Sequence, residues 1–168
     1  PHRDFLATYP PGNFFALAGV FALFEPSIWA ERLVGLAYRY GLVFAVVGLA
    51  ASRGPVVAAG CGISAAFLLF PLRLEAFSWI GGLAALTWGV VALLRDRPRV
   101  AGLLVAIALS FRLDLFLAAA LVSAVGLWRY QHAWRTAARS YLLGLSFILV
   151  PLLVYFVFVS PHSALRDL

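Results

Sequence analysis

The sequence predicts an all-α fold, a polytopic transmembrane helix bundle with one interfacial helix and two short half-spanning helices. Three observations predict it. Of 168 residues, 64% are hydrophobic and only 12% charged, with a mean hydropathy of +0.96, which excludes a water-soluble globule. The apolar residues run in stretches long enough for membrane helices. The thirteen basic residues, all Arg, sit mostly in short runs between those stretches, where they act as topology signals. The formal charge of +6 therefore points to orientation in a bilayer and away from nucleic acid. The single cysteine, Cys61, lies within an apolar run and excludes an intrachain disulfide.

In chain order, residues 13–24 are an apolar dozen bounded by Pro10-Pro11-Gly12 and Glu25-Pro26, suited to a helix at the membrane interface. Residues 28–50 form the first strong span, about 34 Å of helix against a hydrocarbon core of about 30 Å. Apolar stretches follow at 55–72, 76–94, 100–127 and 141–159. They are divided by Arg53-Gly54-Pro55, by Arg73-Leu74-Glu75, by the run from Arg95 to Arg99, and by a basic loop over 128–139. That loop holds Trp128, Tyr130 and Trp134, which read as an interfacial aromatic belt.

The stretch 100–127 is too long for one span and carries Arg112 and Asp114 at its middle, where each charge costs about 2.5 to 3.5 kcal/mol on insertion scales. Two short arms, 100–110 and 115–127, are expected instead, sheltered by other helices or re-entrant. With the Arg clusters cytoplasmic, Asp4, Glu25, Glu31, Glu75, Asp114 and Asp167 all fall on the outer face and only Asp96 on the inner. That bias places the chemistry outside. The chain is expected to be a single membrane domain, the N-terminal part of a larger protein with something removed before Pro1. In that domain 1–27 are an outer loop with the interfacial helix, 28–159 the bundle, and 160–168 the start of another outer loop.

Three groups of residues carry candidate chemistry. Arg32 and Arg39, seven apart, lie on one face of the first span, Arg39 about 10 Å deeper. A buried guanidinium needs an anion, and its fork matches phosphate oxygens. The alternative is that Arg32 snorkels to headgroups while Arg39 pairs with a carboxylate or backbone carbonyl of another helix. Glu75, in the turn between two spans, suits a general base or a divalent-cation ligand, or simply a helix boundary. Arg112 and Asp114 at the hairpin tip suit a substrate contact, or a local polar pair reaching water.

The run Pro1-His2-Arg3-Asp4-Phe5, then Tyr9-Pro10-Pro11-Gly12, an apolar dozen and Arg32, resembles the first outer loop of the GT-C glycosyltransferases, membrane enzymes that use polyprenyl-phosphate-linked sugars. The turn at Glu75, the cytoplasmic basic loop, and Gly102-Leu103-Leu104 leading to Phe111-Arg112-Leu113-Asp114 are similar to later parts of that superfamily. The resemblance implies inverting transfer of a sugar from a polyprenyl-phosphate donor to a hydroxyl on a glycan, lipid or protein acceptor at the outer face. It implies a loop carboxylate as base, with Glu75 at the place of a second outer-loop carboxylate and Asp4 a secondary acid of the first loop. The family's usual acidic motif falls before Asp4, so a fragment beginning at Pro1 is expected to be inactive alone. Arg32 and Arg39 would stabilise the departing lipid phosphate. Tyr9 stands where some relatives carry Lys. No cofactor is implied beyond a divalent cation at the carboxylates. The competing function is a transporter of a lipid or small anion using the same arginines; a third class is a non-catalytic membrane scaffold.

Overall fold

The computed structural model describes residues 11–72 and 74–166, and their side chains as far as Val154. The described chain is all-α: α1 Gly12–Phe24, α2 Ile28–Ala50, α3 Pro55–Leu69, α4 Ser78–Leu94, α5 Pro98–Phe111, α6 Phe116–Trp128 and α7 Trp134–Arg166, with short 3-10 turns at Ala51–Arg53 and Leu113–Leu115. The helix starts follow local chemistry. Ser27 caps α2 by accepting a hydrogen bond from the Ala30 amide at 3.1 Å. Pro55 and Pro98 open α3 and α5, where a missing N–H costs nothing. The end of α4 is a Schellman turn, with Arg97 N–H on Ala92 O at 2.9 Å and Asp96 N–H on Leu93 O at 3.3 Å. Asp96 takes the left-handed position there, at φ 56°.

The helices pack in a row, α3 on α2, α2 on α4, α4 on α5, α5 on α7, with α6 against α4 and α7. α4 stands at the centre and buries Ile80, Leu86, Val91 and Leu93. Small residues set the approach: Gly102 of α5 faces the Tyr141 carbonyl of α7, and Gly144 of α7 faces the Arg99 carbonyl of α5, each where a side chain would collide with backbone. Close backbone packing of this kind at small residues is how helices associate without a hydrophobic driving force between them. Trp88 of α4 adds a hydrogen bond to the Gly41 carbonyl of α2 at 2.9 Å.

The register of these contacts fixes direction. Gly35 of α2 lies against the Leu74–Glu75 backbone ahead of α4, and Gly48 against Val91 near its end, so α2 and α4 run parallel. Gly82 and Gly89 of α4 meet Ala108 and Ala101 of α5, so α5 runs back. The Tyr130 hydroxyl donates to the Leu93 carbonyl at 3.0 Å, which returns the end of α6 and the start of α7 to the end of α4. Arg53, Arg95, Arg97, Arg99, Arg129, Arg135 and Arg139 thereby gather toward one end of the bundle, the basic end. Glu25, Glu31, Glu75, Arg112 and Asp114 belong to the other, the carboxylate end.

The expected break within 100–127 is present, between Phe111 and Phe116. The basic loop expected over 128–139 is shorter. α7 begins at Trp134, because Arg135, Thr136, Ala137, Ala138 and Arg139 wind into its first turns, with Ala137 and Tyr141 buried. α7 also passes Val159 and remains helical to Arg166, so 160–166 is helix where a loop was expected. Among the described residues, two helices are long and apolar enough to cross a membrane, over Ile28–Arg53 and Trp134–Val154. The remaining apolar helices have 13 to 17 residues, about 20 to 26 Å. α1 has no charged residue and, apart from Asn13, is apolar on every side, without the polar face usual in a helix that lies flat on a bilayer.

Candidate functional site

The carboxylate end is assembled by glycine and by one chain of hydrogen bonds. Gly35 leaves room for the Leu74–Glu75 backbone: a Cβ there would stand 2.5 Å from Leu74 O and 2.6 Å from Glu75 O. Gly12 does the same for the end of α5, where a Cβ would meet Ser110 O at 2.5 Å. Asn13, next along α1, donates from Nδ2 to Ala76 O at 3.1 Å and accepts from the Tyr38 hydroxyl at 3.0 Å. Tyr38 in turn meets the Phe111 ring edge-on at 5.5 Å. Four elements thus converge within one turn of α2: the start of α1, Gly35 to Arg39, the turn before α4, and the end of α5.

Arg39 sits in that convergence, only 7% exposed. Its Nη1 donates to the Gly35 carbonyl at 3.1 Å, one turn back on its own helix. Nε and Nη2 are buried and, among the described residues, have no hydrogen-bond partner. The partner expected from another helix is replaced by an intrahelical one, which satisfies one donor of five and supplies no negative charge. A guanidinium buried in this way costs several kcal/mol of desolvation.

Arg32 differs from its expectation as a companion to Arg39. The two share a helix face, but Arg32 is exposed, 5.7 Å over the Trp29 ring, on a stretch of α2 whose other side buries Ala30 and Val34. Glu75 is exposed, its backbone carbonyl accepting the Phe77 amide at 2.9 Å, just above the level of Arg39. Arg112 and Asp114 form the local pair, Nε to Oδ1 at 2.8 Å with a second contact between Nη2 and Oδ2. The hydrogen-bonded guanidinium holds the Asp114 carboxyl below the usual carboxylate range. Asp4 and Tyr9 lie outside the described residues. No group of three or more His, Cys, Asp or Glu stands together among the described residues, so Glu75 offers a metal ion a single carboxylate there.

The structure brings Arg39 and the Glu75 turn together, and adds Asn13, Tyr38, Ser110 and Phe111, which composition alone did not single out. Asn13 carried the available signal, as the one hydrogen-bonding side chain in an otherwise apolar helix. No family model, no curated protein and no solved structure matches this chain.

Proposed function

We propose that this chain is a multi-pass membrane domain, oriented with its basic end in the cytoplasm, and part of a GT-C-type glycosyltransferase acting at the outer face. The observation that carries the proposal is Arg39: a buried cation with two unsatisfied nitrogens, one turn below a carboxylate-bearing turn, in a helix apolar enough to cross a bilayer. A lipid phosphate supplies what that guanidinium lacks, both negative charge and acceptor oxygens. The short helices support a bundle thinner than the average bilayer, a mismatch that local thinning accommodates at modest cost. The concentration of seven arginines at one end supports the orientation.

In the proposed reaction an acceptor hydroxyl attacks the anomeric carbon of the sugar and the bond from that carbon to the lipid phosphate breaks. A carboxylate takes the hydroxyl proton, with Glu75 the described candidate. The negative charge that develops on the departing phosphate falls to Arg39, whose effect is largest where water is scarce. The enzyme inverts the anomeric configuration because the attack is a single displacement. The donor is a polyprenyl-phosphate sugar; the acceptor is a glycan, lipid or protein hydroxyl.

The test uses the full-length protein in lipid nanodiscs with a panel of radiolabelled polyprenyl-phosphate sugars. Glu75→Gln and Arg39→Leu are each expected to lower transfer by at least tenfold while leaving membrane insertion intact. Wild-type transfer in both variants would overturn the site. Binding of the donor without any transfer would move the same arginine to the transporter reading.

A further inference from the structure

At the basic end, two segments remote in sequence are stapled together. The Tyr130 hydroxyl reaches the Leu93 carbonyl at 3.0 Å, and Gly126 packs on the Leu93 side chain. These contacts bring the turn that carries Arg129 against the turn that carries Arg95 and Arg97, and all three arginines are exposed. The Schellman geometry at Asp96 and the proline that follows hold Arg95 and Arg97 on a fixed turn. Asp96, the one acidic residue of this end among the described residues, lies beside the Tyr130 hydroxyl, which burial and then that carboxylate push up from its ordinary value. Immediately along α6, Ala124, Val125 and Trp128 line a shallow, open, apolar groove, with Trp128 exposed at its edge. A cationic corner next to an apolar groove, with an indole at the boundary, matches a molecule that carries an anion on a hydrocarbon tail.

We propose that this corner is a binding site for an anionic phospholipid of the surrounding leaflet, its phosphate held by Arg95, Arg97 and Arg129 and one acyl chain laid on the Ala124–Val125 face under Trp128. Charge complementarity selects the occupant: zwitterionic lipids offer the arginines no net charge, whereas a basic pocket between membrane helices favours anionic headgroups. The site rests on the membrane reading above but not on the glycosyltransferase reading. It is separate from Arg39, which lies midway along α2 near the start of α4, whereas this corner is at the end of α4.

The test reconstitutes the full-length protein in nanodiscs of equal parts phosphatidylcholine and phosphatidylglycerol and counts lipids retained on gentle release into a mass spectrometer. The wild type is expected to retain phosphatidylglycerol selectively. Each arginine contributes about a fivefold preference, so Arg95→Gln with Arg129→Gln lowers retention about 25-fold. Trp128→Ala, which leaves every charge in place, is expected to weaken it more modestly, and Arg32→Gln at the opposite end to leave it unchanged. Equal retention of both lipids by the wild type, or undiminished selectivity in the double variant, would overturn the site while insertion upheld the membrane reading. Failure of the wild type to enter nanodiscs would overturn both.

Discussion

Arg39 donates its Nη1 hydrogen bond to the carbonyl oxygen of Gly35, 3.1 Å away, at the level where the Leu74–Glu75 backbone rests against that glycine. The same residue therefore admits the turn before α4 and anchors the arginine that lies beneath it. Replacing Gly35 by Val drives two methyl groups into the Leu74 and Glu75 carbonyls. Overpacking of this kind costs about 1 to 3 kcal/mol. Thermal unfolding of Gly35→Val in detergent is expected to show a lowered midpoint, together with weaker donor binding; an unchanged midpoint would mean that the turn does not bear on α2.

Removal of the buried charge has the opposite sign for stability. Arg39→Leu eliminates a guanidinium that has one partner among five donors, and exchanging buried ionic groups for apolar ones of similar volume is often neutral or stabilising by about 1 to 4 kcal/mol. In lipid free of phosphate-bearing isoprenoids, the variant is expected to melt at or above the wild-type temperature. A strongly lowered melting temperature would show that Arg39 is structural.

The crossing of α5 and α7 depends on Gly102 and Gly144, each facing the other helix's backbone. Gly102→Leu or Gly144→Leu forces the helices apart, and because both act on one crossing their effects are not additive. A double-variant cycle read by heat-induced aggregation in detergent is expected to give a second substitution that costs much less than the first. Full additivity would place the two glycines at independent contacts.

Asp96 occupies the left-handed region at φ 56°, where an L-residue pays roughly 1 to 2 kcal/mol that glycine avoids. Asp96→Val is expected to destabilise the turn by about that amount, since β-branching removes the local hydrogen bonding an aspartate can use there. Asp96→Gly is expected to be neutral or mildly stabilising. Equal losses in both variants would locate the role of Asp96 in its carboxylate and its neighbour Tyr130 instead of its backbone.

At the hairpin tip the hydrogen bond from Arg112 lowers the pKa of Asp114 in the folded protein. A depressed folded pKa stabilises the fold above the unfolded value, near 3.9 for aspartate, and that contribution disappears as pH falls through the folded value. With the Asp114 side chain 59% exposed, screening limits the pair to about 0 to 1 kcal/mol. Asp114→Asn is expected to flatten the acid limb of a stability profile slightly and to leave stability at neutral pH within that range. A steep acid limb retained in the variant would assign it to other carboxylates.

Much of this helical framework was legible in the sequence, because arginine clusters and Gly-Pro punctuation interrupt apolar runs. Helix α2 begins and ends where its apolar run does, and the break near Arg112 and Asp114 followed from the cost of placing two charges at mid-membrane. The first turns of α7 are not legible from charge alone, because Arg135 and Arg139 read as loop polarity, although arginine is a good helix former and Ala137 between them is buried. Depth was the harder property. Arg32 and Arg39 share one helical face, and only the height at which the Glu75 turn meets Gly35 separates an exposed arginine from a buried one. That height is set by contacts some 40 residues apart in sequence, for which helical periodicity carries no signal. Asn13 stands out as the one polar side chain of α1, but its pairing with Tyr38 is not legible for the same reason: that hydrogen bond joins two helices whose contact no local pattern encodes.

The measurement that bears most directly on the proposed site is the titration of full-length protein in nanodiscs with a polyprenyl phosphate, comparing wild type, Arg39→Leu and Arg53→Gln. Charge-assisted hydrogen bonds of about 1.5 to 3 kcal/mol correspond to a loss of roughly 10- to 150-fold in affinity when Arg39 is removed. The account predicts that loss for Arg39→Leu, with Arg53→Gln, which lies outside both proposed sites, binding as the wild type does. Equal affinity in wild type and Arg39→Leu would contradict it.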